Sequence, residues 1–114
     1  MDLFNFRDGE LCCEDVPVAD IAHQVGTPAY IYSGNTLAEH FRRLANAFAA
    51  ADPVICYSIK SCANLGILRL LADRGAGVDV VSGGELHRAR SPVSQDRKSS
   101  MPAWGRRMPK SARR

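Results

Sequence analysis

Apolar residues recur at helical spacing in three segments of the chain. Residues 18–25 carry an apolar stripe that Gly26 would end. Another begins at Leu65 and runs through Ala72, and its helix is predicted to end at Gly75. A fourth, shorter helix is predicted over residues 85–89. The longest stripe lies between the first two and consists of Leu37, Phe41, Leu44 and Phe48, with the charged residues Glu39, Arg42 and Arg43 off the stripe.

Strand-like patterns lie between these helices. Residues 3–14 are predicted to be extended with a turn at Asp8-Gly9, and residues 29–32 are predicted to form a short strand. Residues 54–60 and 77–82 are predicted as two further strands. From residue 29 onward strands and helices alternate, which predicts an α/β fold with a parallel sheet and helical crossovers. About three βα units are too few to close a (β/α)8 barrel of about 250 residues, so the predicted barrel is incomplete.

Strand alternation places two reactive side chains on one face of the predicted sheet. In residues 54–60 the bulky side chains of Ile55, Tyr57 and Ile59 share the face expected under the helices. Lys60 then points into the barrel, at the carboxyl end of its strand, where active sites of this architecture lie. Asp79 in the next strand can point inward beside it. A lone lysine in this place is suited to hold an aldehyde cofactor as a Schiff base.

Charge divides the chain at about residue 90. Residues 1–87 hold 6 Lys/Arg and 11 Asp/Glu, a formal charge of −5, and residues 88–114 hold 9 Lys/Arg and one acid, a formal charge of +8. The two values sum to the net charge of +3. After Arg90 prolines, serines and arginines replace the aliphatic residues. We therefore predict a domain over residues 1–90 and a basic, disordered tail over residues 91–114.

Several function classes are disfavoured by composition. The longest apolar runs are far below the roughly 18 residues of a membrane span, and the N-terminus lacks the pattern of a signal peptide, so a cytoplasmic protein without membrane partners is expected. The three histidines are not grouped, and no metal is expected. The cysteines make no C-x-x-C pair, which favours free thiols over a metal site or disulfides; they are Cys12, Cys13, Cys56 and Cys62.

Four motifs occur in order at residues 4–11, 26–32, 57–62 and 77–86. They resemble those of the alanine-racemase-like pyridoxal-phosphate decarboxylases of ornithine, diaminopimelate and arginine, and the diaminopimelate branch most of all. In order and spacing they cover about residues 3–90. The lysine motif, Tyr-Ala-x-Lys-Ala-Asn in the family, differs here at three positions: Ser58 and Ser61 replace the two alanines, and Cys62 replaces the asparagine. The matching segments are residues 4–11 (Phe-x-x-x-x-Gly-x-Leu), 26–32 (Gly-Thr-Pro-x-Tyr-x-Tyr), 57–62 and 77–86 (Gly-x-Asp-Val-Val-Ser-x-Gly-Glu-Leu).

The resemblance implies a fold, a cofactor and three site residues. The fold would be the N-terminal part of a (β/α)8 barrel that binds pyridoxal 5'-phosphate. Lys60 would be the catalytic lysine that holds the cofactor, and Asp79 and Glu85 match acidic positions near the cofactor ring in relatives such as ornithine decarboxylase. Each has a structural alternative: Lys60 as a solvated strand end, Asp79 as a turn partner, and Glu85 as a first-turn carboxylate that offsets the helix dipole.

The reaction that the resemblance implies is decarboxylation of meso-diaminopimelate to L-lysine. The partner would be a small amino-acid substrate and not nucleic acid. Full-length relatives are homodimers with a C-terminal β-domain, to which the first strand segment here would belong. That domain and the family's later phosphate loop have no counterpart in this chain, so the chain by itself is expected to be inactive. The alternatives are a related decarboxylase of ornithine, arginine or carboxynorspermidine, or a small non-catalytic protein that binds pyridoxal phosphate or a polyanion.

The tail also resembles the family's continuation when its codons are read one nucleotide earlier. The pairs Met101-Pro102, Trp104-Gly105 and Met108-Pro109 force alanine, glycine and alanine in that frame. All three agree with the family's sequence, which predicts that residues 91–114 follow a shift of reading frame. The alternative is an evolved basic tail that binds nucleic acid or another polyanion.

Overall fold

A β-hairpin followed by a short third strand opens the fold. The structure, a computed structural model, describes residues 2–90 and the backbone of residues 103–105. Strands β1 (Phe4–Arg7), β2 (Glu10–Cys13) and β3 (Val16–Pro17) form an antiparallel sheet in that order. Asp8 and Gly9 turn the hairpin with positive φ angles of 50° and 85°, which Asp-Gly pairs adopt readily in two-residue turns. The predicted turn is confirmed.

Two helices follow the hairpin, and the first of two compact units ends within the second helix, at Leu44. Helix α1 (Val18–Val25) has the predicted bounds and is followed by Gly26 with a φ of 84°. Helix α2 (Gly34–Ala47) forms as its apolar stripe predicts. The distal part of the stripe remains open to solvent, since Leu44 is 46% exposed and Phe48, just beyond the helix, is 55% exposed.

The predicted strand at residues 29–32 is wrong. The structure has no regular element there, and the Tyr30 side chain is 91% exposed. Tyrosine and isoleucine favour strands because they pack well on a pleated, partly buried surface. Such a preference produces a strand only where a second strand supplies ladder hydrogen bonds, and no described segment pairs with these residues.

The N-terminus of α2 is held by a cluster of hydrogen bonds from the hairpin. The buried hydroxyl of Ser33 accepts a hydrogen bond from the Thr36 backbone N–H at 3.0 Å and donates one to Glu14 Oε1 at 2.7 Å. Glu14 also accepts from the backbone N–H of Asn35 at 2.9 Å and from its side-chain amide at 2.6 Å. The Asn35 backbone N–H, followed by the Ser33 hydroxyl, lowers the pKa of the Glu14 carboxyl below its ordinary 4.5.

The second unit begins at Ala45 and contains a parallel sheet. Strands β4 (Cys56–Ser58), β5 (Gly77–Val80) and β6 (Ala103–Gly105) lie side by side in the order β4-β5-β6. Helix α3 (Leu65–Ala72) connects β4 to β5, and α4 (Gly83–Ala89) follows β5. This is the predicted crossover connection, and the two units β4–α3 and β5–α4 are formed. Helix α3 ends at Ala72, before its predicted end at Gly75.

Both parallel strands are shorter than their patterns predict. Strand β4 ends at Ser58, because residues Ile59–Ser61 form a 3₁₀ turn, and β5 ends at Val80. Helix α4 begins at Gly83, two residues before its predicted start at residue 85. In each strand the apolar pattern continues past the last residue that pairs with the neighbouring strand. The pattern therefore predicted strands that are longer than the observed ones.

The core of the second unit lies on one face of the parallel sheet. Ile59 and Val78 are almost completely buried, at 0% and 1% exposure. They pack with Leu68 of α3 and Val80, while Tyr57 and Leu86 of α4 close the cluster's edge. Both helices therefore contribute to the same covered face, as the alternation of bulky residues predicts.

Residues 103–105 form the third strand of this sheet. Ala103 is in register with Val78, and Gly105 with Val80. The rest of residues 91–114 lies outside the described residues. The boundary at residue 90, the change of reading frame and the disorder of the tail outside residues 103–105 remain predictions.

The cysteines are not cross-linked. No disulfide joins any of the four, all of which lie in the described part of the chain. Burial and, secondly, the negative charge of Glu14 raise the pKa of the Cys13 thiol. Across residues 2–90 and 103–105, no helix is long and apolar enough to cross a bilayer.

Candidate functional site

Lys60 lies at the carboxyl end of a parallel strand. It is the middle residue of the 3₁₀ turn that directly follows β4, and it is exposed. The preceding residue, Ile59, is completely buried in the core and anchors the turn. Among the described residues no ion pair engages Lys60. Because ligands bind at the carboxyl ends of strands in α/β sheets, the Lys60 amine is placed where a ligand can reach it.

The segment that follows Lys60 is held by side chains from two different elements. The Tyr57 hydroxyl of β4 donates to the Cys62 carbonyl oxygen at 3.1 Å. From α4, the Arg88 guanidinium donates to the Ala63 carbonyl oxygen at 3.2 Å. These bonds tie the lysine turn to the strand before it and to a helix much later in the chain.

Asn64 caps the next helix. Its side-chain oxygen accepts hydrogen bonds from the backbone N–H groups of Gly66 at 2.8 Å and Ile67 at 3.3 Å. This is the usual way in which asparagine satisfies the free N–H groups at a helix start. Asn64 therefore caps α3. It lies two residues after the position where the family motif has asparagine, and Cys62 occupies that position.

Asp79 and Ser58 face each other across the ladder. They are register partners in β4 and β5, and the Ser58 hydroxyl donates to Asp79 Oδ2 at 3.2 Å. Val78 and Val80, at 1% and 8% exposure, lie in the core on the opposite face. The structure thus places Asp79 on the face away from the core, next to the strand that leads into Lys60. The contact with Ser58 was missed from the sequence, although alternation had put both residues on one face.

Glu85 lies in the first turn of α4 and stabilises that turn. Its Oε2 accepts a hydrogen bond from the Val81 backbone N–H at 2.7 Å, and its own backbone N–H donates to Ser82 Oγ at 3.2 Å. Ser82-x-x-Glu85 is thus a variant of the capping box, in which the glutamate reaches one residue farther back than usual. The contacts shown by the structure are those of the structural alternative, and a role at the cofactor stays a prediction.

An exposed lysine directly after a parallel strand, with an aspartate on the neighbouring strand, is an arrangement that can hold an aldehyde cofactor. The family model described as pyridoxal-dependent decarboxylase, pyridoxal binding domain, matches residues 34–98. The chain belongs to this family, whose cofactor is pyridoxal phosphate.

Individual relatives are consistent with the family. The diaminopimelate decarboxylase of Haemophilus influenzae is 43% identical over 88 residues, and that of Vibrio cholerae is 47% identical over 89; each match covers 77% of this chain and 21% of the relative. The crystal structure of M. jannaschii diaminopimelate decarboxylase in complex with L-lysine matches with a TM-score of 0.72 and 35% identity, over 77% of this chain and 22% of that one. The chain thus spans about a fifth of the length of the curated relatives that it matches.

The likeness to solved structures also confirms the fold class. The aligned part is α/β and corresponds to a portion of the barrel enzymes that it matches. The predicted incomplete pyridoxal-binding barrel is therefore correct as a fold, although the strand predicted at residues 29–32 is absent from this chain.

The described residues suit the reactive end of pyridoxal phosphate. The aldehyde of the cofactor requires a primary amine, and Lys60 supplies an exposed one. The ring requires polar groups nearby, and Asp79 supplies a half-buried carboxylate with one oxygen oriented by Ser58. No described cluster of three or more histidine, cysteine or acidic side chains is arranged to hold a metal ion.

Proposed function

We propose that Lys60 holds pyridoxal 5'-phosphate and that the protein to which this sequence belongs decarboxylates meso-diaminopimelate to L-lysine. The observation that carries the first part is the position of Lys60, exposed on an anchored turn at the end of β4 and adjacent to the Ser58–Asp79 pair. The substrate is inferred from relatives, which are named diaminopimelate decarboxylases.

Each residue has a distinct task in this proposal. Lys60 would hold the cofactor through its primary amine. Asp79 would offer its carboxylate as a hydrogen-bond acceptor that stabilises a protonated ring. Glu85 shapes the strand-to-helix turn through its bond to the Val81 N–H, and from there it would lie near the bound group. When bound, pyridoxal phosphate accepts the electron pair left by departing carbon dioxide.

The cofactor assignment can be tested by trapping. The chain has three lysines, Lys60, Lys98 and Lys110. We expect borohydride reduction in the presence of pyridoxal phosphate to leave the pyridoxyl group on Lys60, as mapped by mass spectrometry of the digest. Lys60→Arg should abolish this adduct and Lys98→Arg should not. Equal labelling of the other lysines in the Lys60→Arg protein would refute the assignment.

The substrate assignment requires a complete enzyme. Residues 2–90 can replace the matching segment of the Haemophilus influenzae relative. The hybrid should release carbon dioxide from meso-diaminopimelate, and its Lys60→Arg version should not. Release from ornithine or arginine instead would contradict the proposed substrate. The 114-residue chain by itself should release none from any of them.

A further inference from the structure

We infer that Ser58 is a positioning residue that orients the carboxylate of Asp79 toward the cofactor held by Lys60. This inference rests on the proposed function. Ser58 is two residues before Lys60 and is the register partner of Asp79, so it is the side chain that joins the lysine strand to the carboxylate strand.

The Ser58 hydroxyl donates its hydrogen bond to the Asp79 carboxylate. A serine hydroxyl has a single proton, and here it is donated to Asp79 Oδ2 at 3.2 Å. An aspartate carboxylate on a strand face can otherwise rotate about its terminal bonds. The hydrogen bond restricts that rotation and leaves Oδ1 available to a second partner.

The neighbouring serine differs in this respect. The Ser61 hydroxyl donates to the Ser58 carbonyl oxygen at 2.7 Å and stays within the 3₁₀ turn. Ser58 and Ser61 therefore lie on either side of Lys60, but only Ser58 contacts the carboxylate.

Removal of the hydroxyl should weaken the cofactor's contact with Asp79. A hydrogen bond to a charged group contributes enough that we expect Ser58→Ala to bind pyridoxal phosphate roughly tenfold more weakly. Ser58→Thr keeps a hydroxyl and should restore affinity to within about twofold of the original chain. Ser61→Ala should change affinity little, although it removes the same group next to the same lysine.

The experiment combines a thermodynamic cycle with a cofactor-free measurement. Affinity is measured by absorbance titration for the full chain, Ser58→Ala, Asp79→Asn and the double variant. If Ser58 acts through Asp79, then Ser58→Ala should reduce the affinity for pyridoxal phosphate little further in a chain that already carries Asp79→Asn. Without cofactor, side-chain scalar couplings should show one Asp79 rotamer in the full chain and in Ser58→Thr, and averaging in Ser58→Ala.

The outcomes separate the two proposals. Additive losses in the cycle, or an unchanged Asp79 rotamer in Ser58→Ala, would overturn the role of Ser58 while leaving Lys60 trapping intact. Absence of any Lys60 adduct in the original chain would overturn the proposed function. In that case the cofactor-free rotamer measurement alone decides whether Ser58 orients Asp79.

Discussion

Glu14 shows how one side chain can connect distant parts of the chain. It lies between β2 and β3 and receives three hydrogen bonds from Ser33 and Asn35, at the start of α2. A negative charge at a helix N-terminus is stabilised by the helix dipole and by the free N–H groups there. Its lowered pKa therefore makes stability depend on pH.

We expect Glu14→Gln to reduce stability at neutral pH and to remove a pH-dependent component. A carboxyl whose pKa is depressed on folding contributes stability that is fully present above its unfolded value. Here that value is 4.5, and the contribution is lost as pH falls below it through the folded pKa. The difference in the free energy of unfolding between the original chain and Glu14→Gln, measured by urea unfolding, should be larger at pH 7 than at pH 3.

Glu10→Gln is the matched control for this substitution. Glu10 is an exposed glutamate on the same hairpin, opposite Arg7 in the register. The Glu10→Gln variant should show a pH dependence of the free energy of unfolding close to that of the original chain. Parallel pH profiles for the original chain and Glu14→Gln would contradict the assigned role of Glu14.

At the scale of elements, helix boundaries depend on caps that follow from local sequence. Asn64 accepts from two N–H groups at the start of α3, and Ser82 caps α4. Helix α3 supplies Leu68 to the core beside Ile59, the residue that anchors the Lys60 turn. Weakening the N-cap of α3 should therefore also destabilise the packing of Leu68 in the core of the second unit.

Asn64→Ala should lower the free energy of unfolding by about 1 kcal/mol, the usual cost of losing an N-cap. Asn64→Asp should retain most of the stability because its carboxylate can accept the same bonds. Asn46→Ala, inside α2, is the comparison substitution and should be neutral or stabilising, since alanine favours helix interiors. Chemical denaturation of the three variants and the original chain measures these changes in the free energy of unfolding. Equal losses at residues 64 and 46 would show that the cap contributes nothing.

At the scale of the whole molecule, much apolar surface remains open in each unit. Among the described residues, Tyr30 is 91% exposed, Phe6 75% and Val54 62%. Single exposed apolar residues are ordinary, but many large ones in a short chain mark surfaces that bind something or aggregate. Within the part of the chain that the structure describes, β4 is an edge strand and adds unpaired backbone groups to that surface.

We expect the isolated chain to bind an apolar fluorescent dye and to self-associate as concentration rises. Val54→Ser, next to the open β4 edge, should reduce both effects measurably. Ala50→Ser, a polar change at an exposed position before the same strand, is the control and should not. Light scattering and dye titration provide the two readings. A monodisperse chain without dye binding would show that the exposed residues form no adhesive surface.

The sequence by itself determined the features that depend on local periodicity. The bounds of α1, the start of α3, the Asp8-Gly9 turn and the two faces of the parallel strands follow from spacing, because each requires only neighbours within a few residues. The family motifs predicted Lys60 and Asp79 as site residues, and their role at a cofactor stays a prediction. The alternation of bulky and small residues also indicated which face would be covered.

Tertiary structure alone decided where strand pairing stops and which polar groups meet. Residues 29–32 have strand propensity but no described partner, and β4 ends at Ser58 because Ile59 turns into the core. The contacts of Glu14 with Ser33 and of Ser58 with Asp79 join residues 19 and 21 positions apart. Such contacts depend on how elements dock, and no local pattern in the chain encodes that docking.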